Sequence, residues 1–85
     1  MDIQWGGTVP IYLGQRGHVY FVGDVRRAFE ILLDRWPSAY RDKDKCRAAH
    51  QACLAAIEGT TKQENAREAF REAAEEAGML VGANA

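Results

Sequence analysis

Residues 24–37, DVRRAFEILLDRWP, decide how the rest of the chain is read. Val25, Ala28, Phe29, Leu32 and Trp36 recur at the three- and four-residue spacing of one helix side, while Arg26, Arg27, Glu30 and Asp34 fall elsewhere. A helix with that pattern has to bury its apolar side against another element. Asp24 suits the N-cap, because its carboxylate can accept from free N–H groups of the first turn at the positive end of the helix dipole. Pro37 removes a donor and pushes Trp36 out of helical geometry, so the helix is expected to stop there. The stretch therefore divides a strand-like first quarter from a helical second half.

On its N-terminal side, Val9, Ile11 and Leu13 alternate with Thr8, Pro10 and Tyr12, the pattern of a half-buried strand. Pro10 cannot donate to a ladder, which makes this an edge strand or one paired on a single side. Gly14 to Gly17 supply a tight reversal, and residues 18–22, HVYFV, are rich in β-branched and aromatic side chains. Together they read as a β-hairpin, which needs helices to pack on. Residues 1–7 hold Ile3 and Trp5 ahead of Gly6 and Gly7, and two readings stay open: a short extra strand or a mobile arm.

On the C-terminal side, residues 38–40 form a corner and a second helix is expected from Tyr40 or Arg41 to Glu58, closed by Gly59. Its stripe is Cys46, Ala49, Cys53, Ala56 and Ile57, with His50 and Leu54 on the flank. Thr61 and Glu64 match a capping box, in which each side chain satisfies the other residue's free N–H. A third helix carries Ala66, Ala69, Phe70, Ala73, Ala74 and Ala77 on one side and ends at Gly78. The short link between these helices folds them back as an antiparallel hairpin, and alanine on both facing stripes lets their axes approach closely. Met79, Leu80 and Val81 either add a third strand to the hairpin or tuck against the helices, and residues 82–85 read as a disordered tail. The fold class is thus α+β, an N-terminal β-hairpin followed by three helices (ββααα), in one domain spanning residues 1–85.

The order Trp5, Pro10-Ile11, Asp24, Ala28, Trp36-Pro37, Ala49-x-x-x-Cys53, Gly59, Ala66-Arg67-x-Ala69-Phe70 and Ala73-Ala74-x-x-Ala77-Gly78 resembles a family of small bacterial proteins known as domain of unknown function 982. The resemblance spans nearly the whole chain. Its most specific parts are the Trp-Pro pair and the Ala-Arg-x-Ala-Phe block. It implies a compact α+β domain from alphaproteobacterial genomes and no particular activity, and it carries over no site residues. Cys46 and His50 lie outside its pattern.

Composition narrows the function classes. With 47% apolar and 27% charged residues the 85-residue chain is of folded, not disordered, type, and it is large enough for one core. Eleven basic against twelve acidic side chains leave a net charge of -1, without the positive excess that phosphate neutralisation calls for. No apolar run approaches the ~20 residues that span a bilayer. The start, MDIQWGGT, shows no basic segment leading into an apolar one. Cys46 and Cys53, seven apart on one helix, stand about 10 Å apart, beyond the roughly 7 Å limit of a disulfide. Reduced thiols and no export signal lead to the expectation of a soluble cytoplasmic protein without membrane contact.

Four constellations were weighed. Cys46, His50 and Cys53, with Asp42 on the same side and His18 as a distant helper, are the chain's soft ligands. Two cysteines so far apart cannot close on one ion at a Zn–S length of ~2.3 Å, and packing explains buried thiols more simply. Arg35, Arg41, Lys43, Lys45 and Arg47, with Arg26 and Arg27 nearby, could form a basic patch for nucleic acid, and Tyr12, Tyr20 or Tyr40 could offer stacking surfaces. Asp34, Asp42 and Asp44 are interleaved with them, as on an ordinary solvated surface. For catalysis, Ser38 sits in a capping corner, and His50 with Cys53 lies on an alanine-lined face without access for a substrate. Glu64, Glu68, Glu72, Glu75 and Glu76 alternate with Arg67 and Arg71 at helical spacings, a solvent face held by ion pairs.

What remains is a non-enzymatic protein-interaction or regulatory module without a cofactor or metal site, self-association being one form of it. The surface expected to carry it is Ile11, Tyr12 and Leu13 on the first strand with Trp36 and Tyr40 on a rim. Nucleic-acid binding through Arg35, Arg41, Lys43, Lys45 and Arg47 is the alternative, and a metal- or redox-responsive module built on Cys46, His50 and Cys53 the third reading.

Overall fold

In the computed structural model, which describes residues 4–13 and 18–82, strand β1 (Gln4–Tyr12) pairs antiparallel with β2 (Val19–Asp24). Val9 faces Val22 and Ile11 faces Tyr20 across the ladder, and Leu13 N–H closes it on His18 C=O at 3.1 Å. The register slips between Gln4 and Val9, a bulge that lets the strand run on to Gln4 opposite Asp24. Gln4 to Gly7 thus extend β1, which decides the open choice there in favour of a strand. The glycine reversal at 14–17, residues 1–3 and the tail beyond Gly82 lie outside the described residues.

Helix α1 (Val25–Asp34) starts where expected, with Asp24 Oδ1 accepting from Arg27 N at 2.7 Å. It ends two residues before Trp36, Arg35 N–H closing on Ile31 C=O at 2.8 Å. Leaving the helix swings the Trp36 indole into the core, where it tilts against Phe70 with ring centroids 5.7 Å apart. The buried face of α1 is Val25, Ala28, Ile31 and Leu32, with Phe29 at its border. Ile31, outside the apolar stripe expected for this helix, also belongs to the core.

A 3-10 turn (Ser38–Tyr40) precedes α2 (Asp44–Glu58), so the second helix begins several residues later than expected. Tyr40 is half-buried against the core, and Lys43 is extended at the N-cap without a side-chain bond. Helix α3 (Gln63–Glu76) begins at Gln63, which takes Thr61 off the N-cap position. The capping box does not form: the Thr61 hydroxyl accepts from Asn65 Nδ2 at 2.9 Å instead. Both helix ends use glycine. Thr60 N–H reaches Ala55 C=O past Gly59 (φ 83), and Met79 N–H reaches Ala74 C=O past Gly78 (φ 72), the two closures of Schellman type.

α2 and α3 pack as an antiparallel pair through Cys46, Ala49, Cys53 and Ala56 on one side and Ala66, Phe70, Ala73 and Ala74 on the other. α1 rests on β2 and α2, and α3 rests on β1. One core therefore joins Val9, Ile11 and Leu13 of the hairpin to all three helices. After Gly78 the chain returns to β1 and makes a single bridge, Leu80 opposite Ile11, with Tyr12 N–H to Met79 C=O at 2.7 Å and Val81 N–H to Pro10 C=O at 3.0 Å. Met79 is buried, so both expectations for the tail hold in part.

Candidate functional site

The register decides which groups the hairpin leaves free. Pro10 and Tyr12 turn their backbone groups to the C-terminal segment, so Val9 and Ile11 face β2. In β2, Tyr20 and Val22 therefore point their N–H and C=O at β1. Val19, Phe21 and Gly23 point theirs at the opposite edge, which no strand covers among the described residues. Pro10, without an N–H, directs its nitrogen to the outer side of β1, so the β1–β2 ladder loses no donor to it. From Pro10 to Tyr12 the outer edge of β1 is thus closed by proline and the returning chain. The other edge, along β2, carries no charge or proline between Val19 and Gly23, and its ladder with β1 is regular from Val19 to Val22.

The same register sorts the side chains. Val9, Ile11, Leu13 and Val22 are buried on the helix side. Tyr12 and Val19 form one cross-strand pair on the outer face and Pro10 and Phe21 the next. Tyr12 is 45%, Val19 42% and Phe21 66% exposed, so the outer face of the hairpin is an apolar strip. Tyr20 lies on the inner face at the open edge and leans over a groove of about 230 Å³ lined also by Leu13, Arg27, Ile31 and Arg35, with Glu30 and Asp34 balancing its charge. Leu33 and Leu54 are the other large exposed apolar residues, and both stand on helices.

Of the surface expected from sequence, Tyr12 is exposed and Tyr40 half-buried, whereas Ile11, Leu13 and Trp36 are core residues. Ile11 and Leu13 are drawn inward by the alternation that identified their strand, and Trp36 by the early end of α1. The other exposed apolar residues of the hairpin are Val19, Tyr20 and Phe21, of which the sequence offers Tyr20 only as a stacking surface. Their signal is the unbroken apolar run from Val19 to Val22, which does not alternate and so cannot hide all its side chains in a one-sided sheet.

The other constellations come apart. Arg41 Nε donates to Trp36 C=O at 3.2 Å, Lys45 Nζ pairs with Glu72 Oε1 across α2 and α3 at 3.2 Å, and Lys43 is a helix cap. Arg35 lines the mixed-sign groove under Tyr20, and Arg47 is exposed. Tyr12 and Tyr20 stand on opposite faces of the sheet, so no joint stacking platform forms there. His50 meets the Phe29 ring edge to face, centroids 5.7 Å apart, while Cys46 and Cys53 are fully buried free thiols. Burial raises the Cys46 thiol, with Arg41 opposing, and pushes Cys53 up to about 12. Such thiols are neutral and poor nucleophiles at physiological pH. Among the described residues no three of His, Cys, Asp or Glu come together as metal ligands.

Two smaller expectations also change. It is the Ser38 carbonyl, not its hydroxyl, that accepts from Arg41 N–H. On α3, Arg71 pairs with Glu68 at 3.2 Å, but the Arg67 Nε is buried without a hydrogen-bond partner. Arg67 instead lies over Gly7 in the bulge of β1, its Nη2 3.7 Å from where a Cβ would stand. Among the described residues no helix is long and apolar enough to cross a membrane.

No curated protein and no solved structure matches the chain. A family model described as a protein of unknown function, DUF982, matches residues 8–81, which takes in the sheet from Thr8 onward, all three helices and the returning segment. The Trp-Pro corner, the Ala-Arg-x-Ala-Phe block of α3 and the ββααα order thus belong together: the chain is a member of the DUF982 family.

Proposed function

We propose that the protein is a non-enzymatic interaction module that binds another polypeptide along β2, using the strand's open edge and the apolar strip beside it. The observation that carries this reading is the asymmetry of the sheet. The β1 edge is closed from Pro10 to Tyr12 by the proline and the returning chain, while among the described residues no strand covers the β2 backbone beside Phe21. An uncharged open edge invites strand addition, in which backbone bonds supply affinity and alternate side chains supply selectivity. Action by binding, not chemistry, agrees with neutral buried thiols and scattered polar groups, and two free cysteines fit a reducing cytoplasm.

Replacing Phe21 with a photo-crosslinking phenylalanine analogue in the native cells tests the reading. The expected result is a discrete polypeptide adduct at position 21 and none at the exposed helix position Gln51. Equal or absent crosslinking at both positions contradicts it.

A further inference from the structure

We infer that the polypeptide taken up by β2 is a second copy of this chain, paired antiparallel about a twofold axis through Phe21. The inference rests on the interaction reading above and adds the partner and the register to it. Val19, Phe21 and Gly23 are the residues whose backbone groups point outward. Only the register centred on Phe21 brings all three together with their counterparts. Phe21 then stands opposite Phe21 of the other copy, and each Val19 stands opposite a Gly23. These are hydrogen-bonded pairs, each exchanging two bonds. No other twofold register uses the full outward set, because a shift in either direction leaves an end residue facing chain beyond the strand.

Side chains support the same register. Phe21, at 66% the most exposed large apolar residue among those whose exposure is described, meets its counterpart on the outer face, where a cross-strand aromatic pair is favourable. The two Val19 side chains stand opposite glycines, which leave them room. At both ends His18, exposed, comes opposite the Asp24 carboxylate of the other copy in a non-hydrogen-bonded pair, where side chains approach most closely. Asp24 Oδ1 already holds Arg27 N–H, which leaves Oδ2 for the imidazole. A partner that offers a donor wherever this strand offers an acidic end, and an aromatic wherever it offers Phe21, is this strand reversed.

The product is one four-stranded sheet, β1-β2-β2-β1, its two outer edges each closed from Pro10 to Tyr12 by the proline and the returning segment. Joining at β2 thus pairs the strand edge that no strand covers among the described residues, as a closed twofold assembly does. A strand of this length spans ~20 Å, and an edge contact of that length falls near or below the ~1,200 Å² at which stable interfaces begin. The dimer is therefore reversible and concentration-dependent.

Cysteine trapping tests both partner and register. Hydrogen-bonded antiparallel partners have Cα atoms ~5.5 Å apart, within disulfide reach. Two Val19 residues in this register are four positions out of line, roughly 13 Å at ~3.3 Å per residue. Phe21→Cys, Val19→Cys and the helix-surface control Ala48→Cys are purified and oxidised with glutathione disulfide at high protein concentration. The native thiols are buried and do not compete. Phe21→Cys is expected to yield disulfide dimer at least tenfold faster than either of the other two, and wild-type mass is expected to rise from one chain toward two with concentration. Because Phe21→Cys trims the contact it reports on, His18→Asp provides a second arm. It should weaken wild-type association severalfold by opposing Asp24, with an unchanged circular dichroism spectrum. Trapping at Val19→Cys in preference to Phe21→Cys, equal rates at all three sites, or a single-chain mass at every concentration overturns the inference. If those results came with a photo-adduct to a different polypeptide at position 21, only the second copy would fall. If no such adduct formed either, the interaction reading would fall with it.

Discussion

Cys53 shows how burial fixes the chemistry of one residue. Its thiol, ordinarily ionising near 9.0, is pushed up to about 12 by loss of solvent. The folded chain thus holds a proton that the unfolded chain gives up first. The stability this contributes is complete below pH 9 and is lost as pH rises toward about 12. Urea midpoints should therefore fall as pH rises above 9.0, and fall less steeply in Cys53→Ala. An equal pH dependence in the variant would count against a buried neutral thiol. Trp36 offers a second residue-scale test, since its indole N–H is buried without a partner. Trp36→Phe removes that unsatisfied donor along with some apolar area, and chemical denaturation should register a loss of no more than about 1.5 kcal/mol. Phe70→Ala, at the fully buried centre beside it, should cost about 3 to 5 kcal/mol. Comparable losses in the two variants would show that the indole nitrogen has a partner.

At the scale of elements, the cap that forms and the cap that does not are separable by mutation. Asp24→Ala should lower stability by about 1 kcal/mol, because Asp24 holds the first turn of α1. Thr61→Ala should lower it by less than about 0.5 kcal/mol, because Thr61 only meets an exposed Asn65 side chain. A loss at Thr61 equal to that at Asp24 would restore the capping box. The contrast also marks what the sequence makes legible. Helix existence, the glycine closures at Gly59 and Gly78, and the inward set Val9, Ile11 and Leu13 follow from periodicity and backbone chemistry that act locally. The starts of α2 and α3 do not. At α2 the start is set by tertiary packing, Tyr40 turning toward the core in a 3-10 turn, and at α3 by the Thr61 hydroxyl, which accepts from Asn65 instead of capping the helix. Trp36 was legible both as the last residue of the buried stripe and as part of an exposed rim, and the structure keeps the first of these.

For the whole molecule, order and topology were legible and the exposed side of the hairpin was not. Alternation names the inner face of β1, whereas Val19 to Val22, apolar throughout, hide which of their side chains face water until β1 supplies the register. The open edge is less visible still, since it depends on the C-terminal segment returning to β1 and leaving β2 alone. The most direct measurement of the central claim is residue-resolved amide exchange by NMR, in dilute and in concentrated protein. Tyr20 and Val22, bonded to β1, should be protected in both. Val19, Phe21 and Gly23 should exchange freely when dilute and slow together on concentration, their protection saturating with the rise in mass. If those three amides exchange alike at both concentrations, or are already protected in the dilute single chain, β2 is not the surface through which this protein associates.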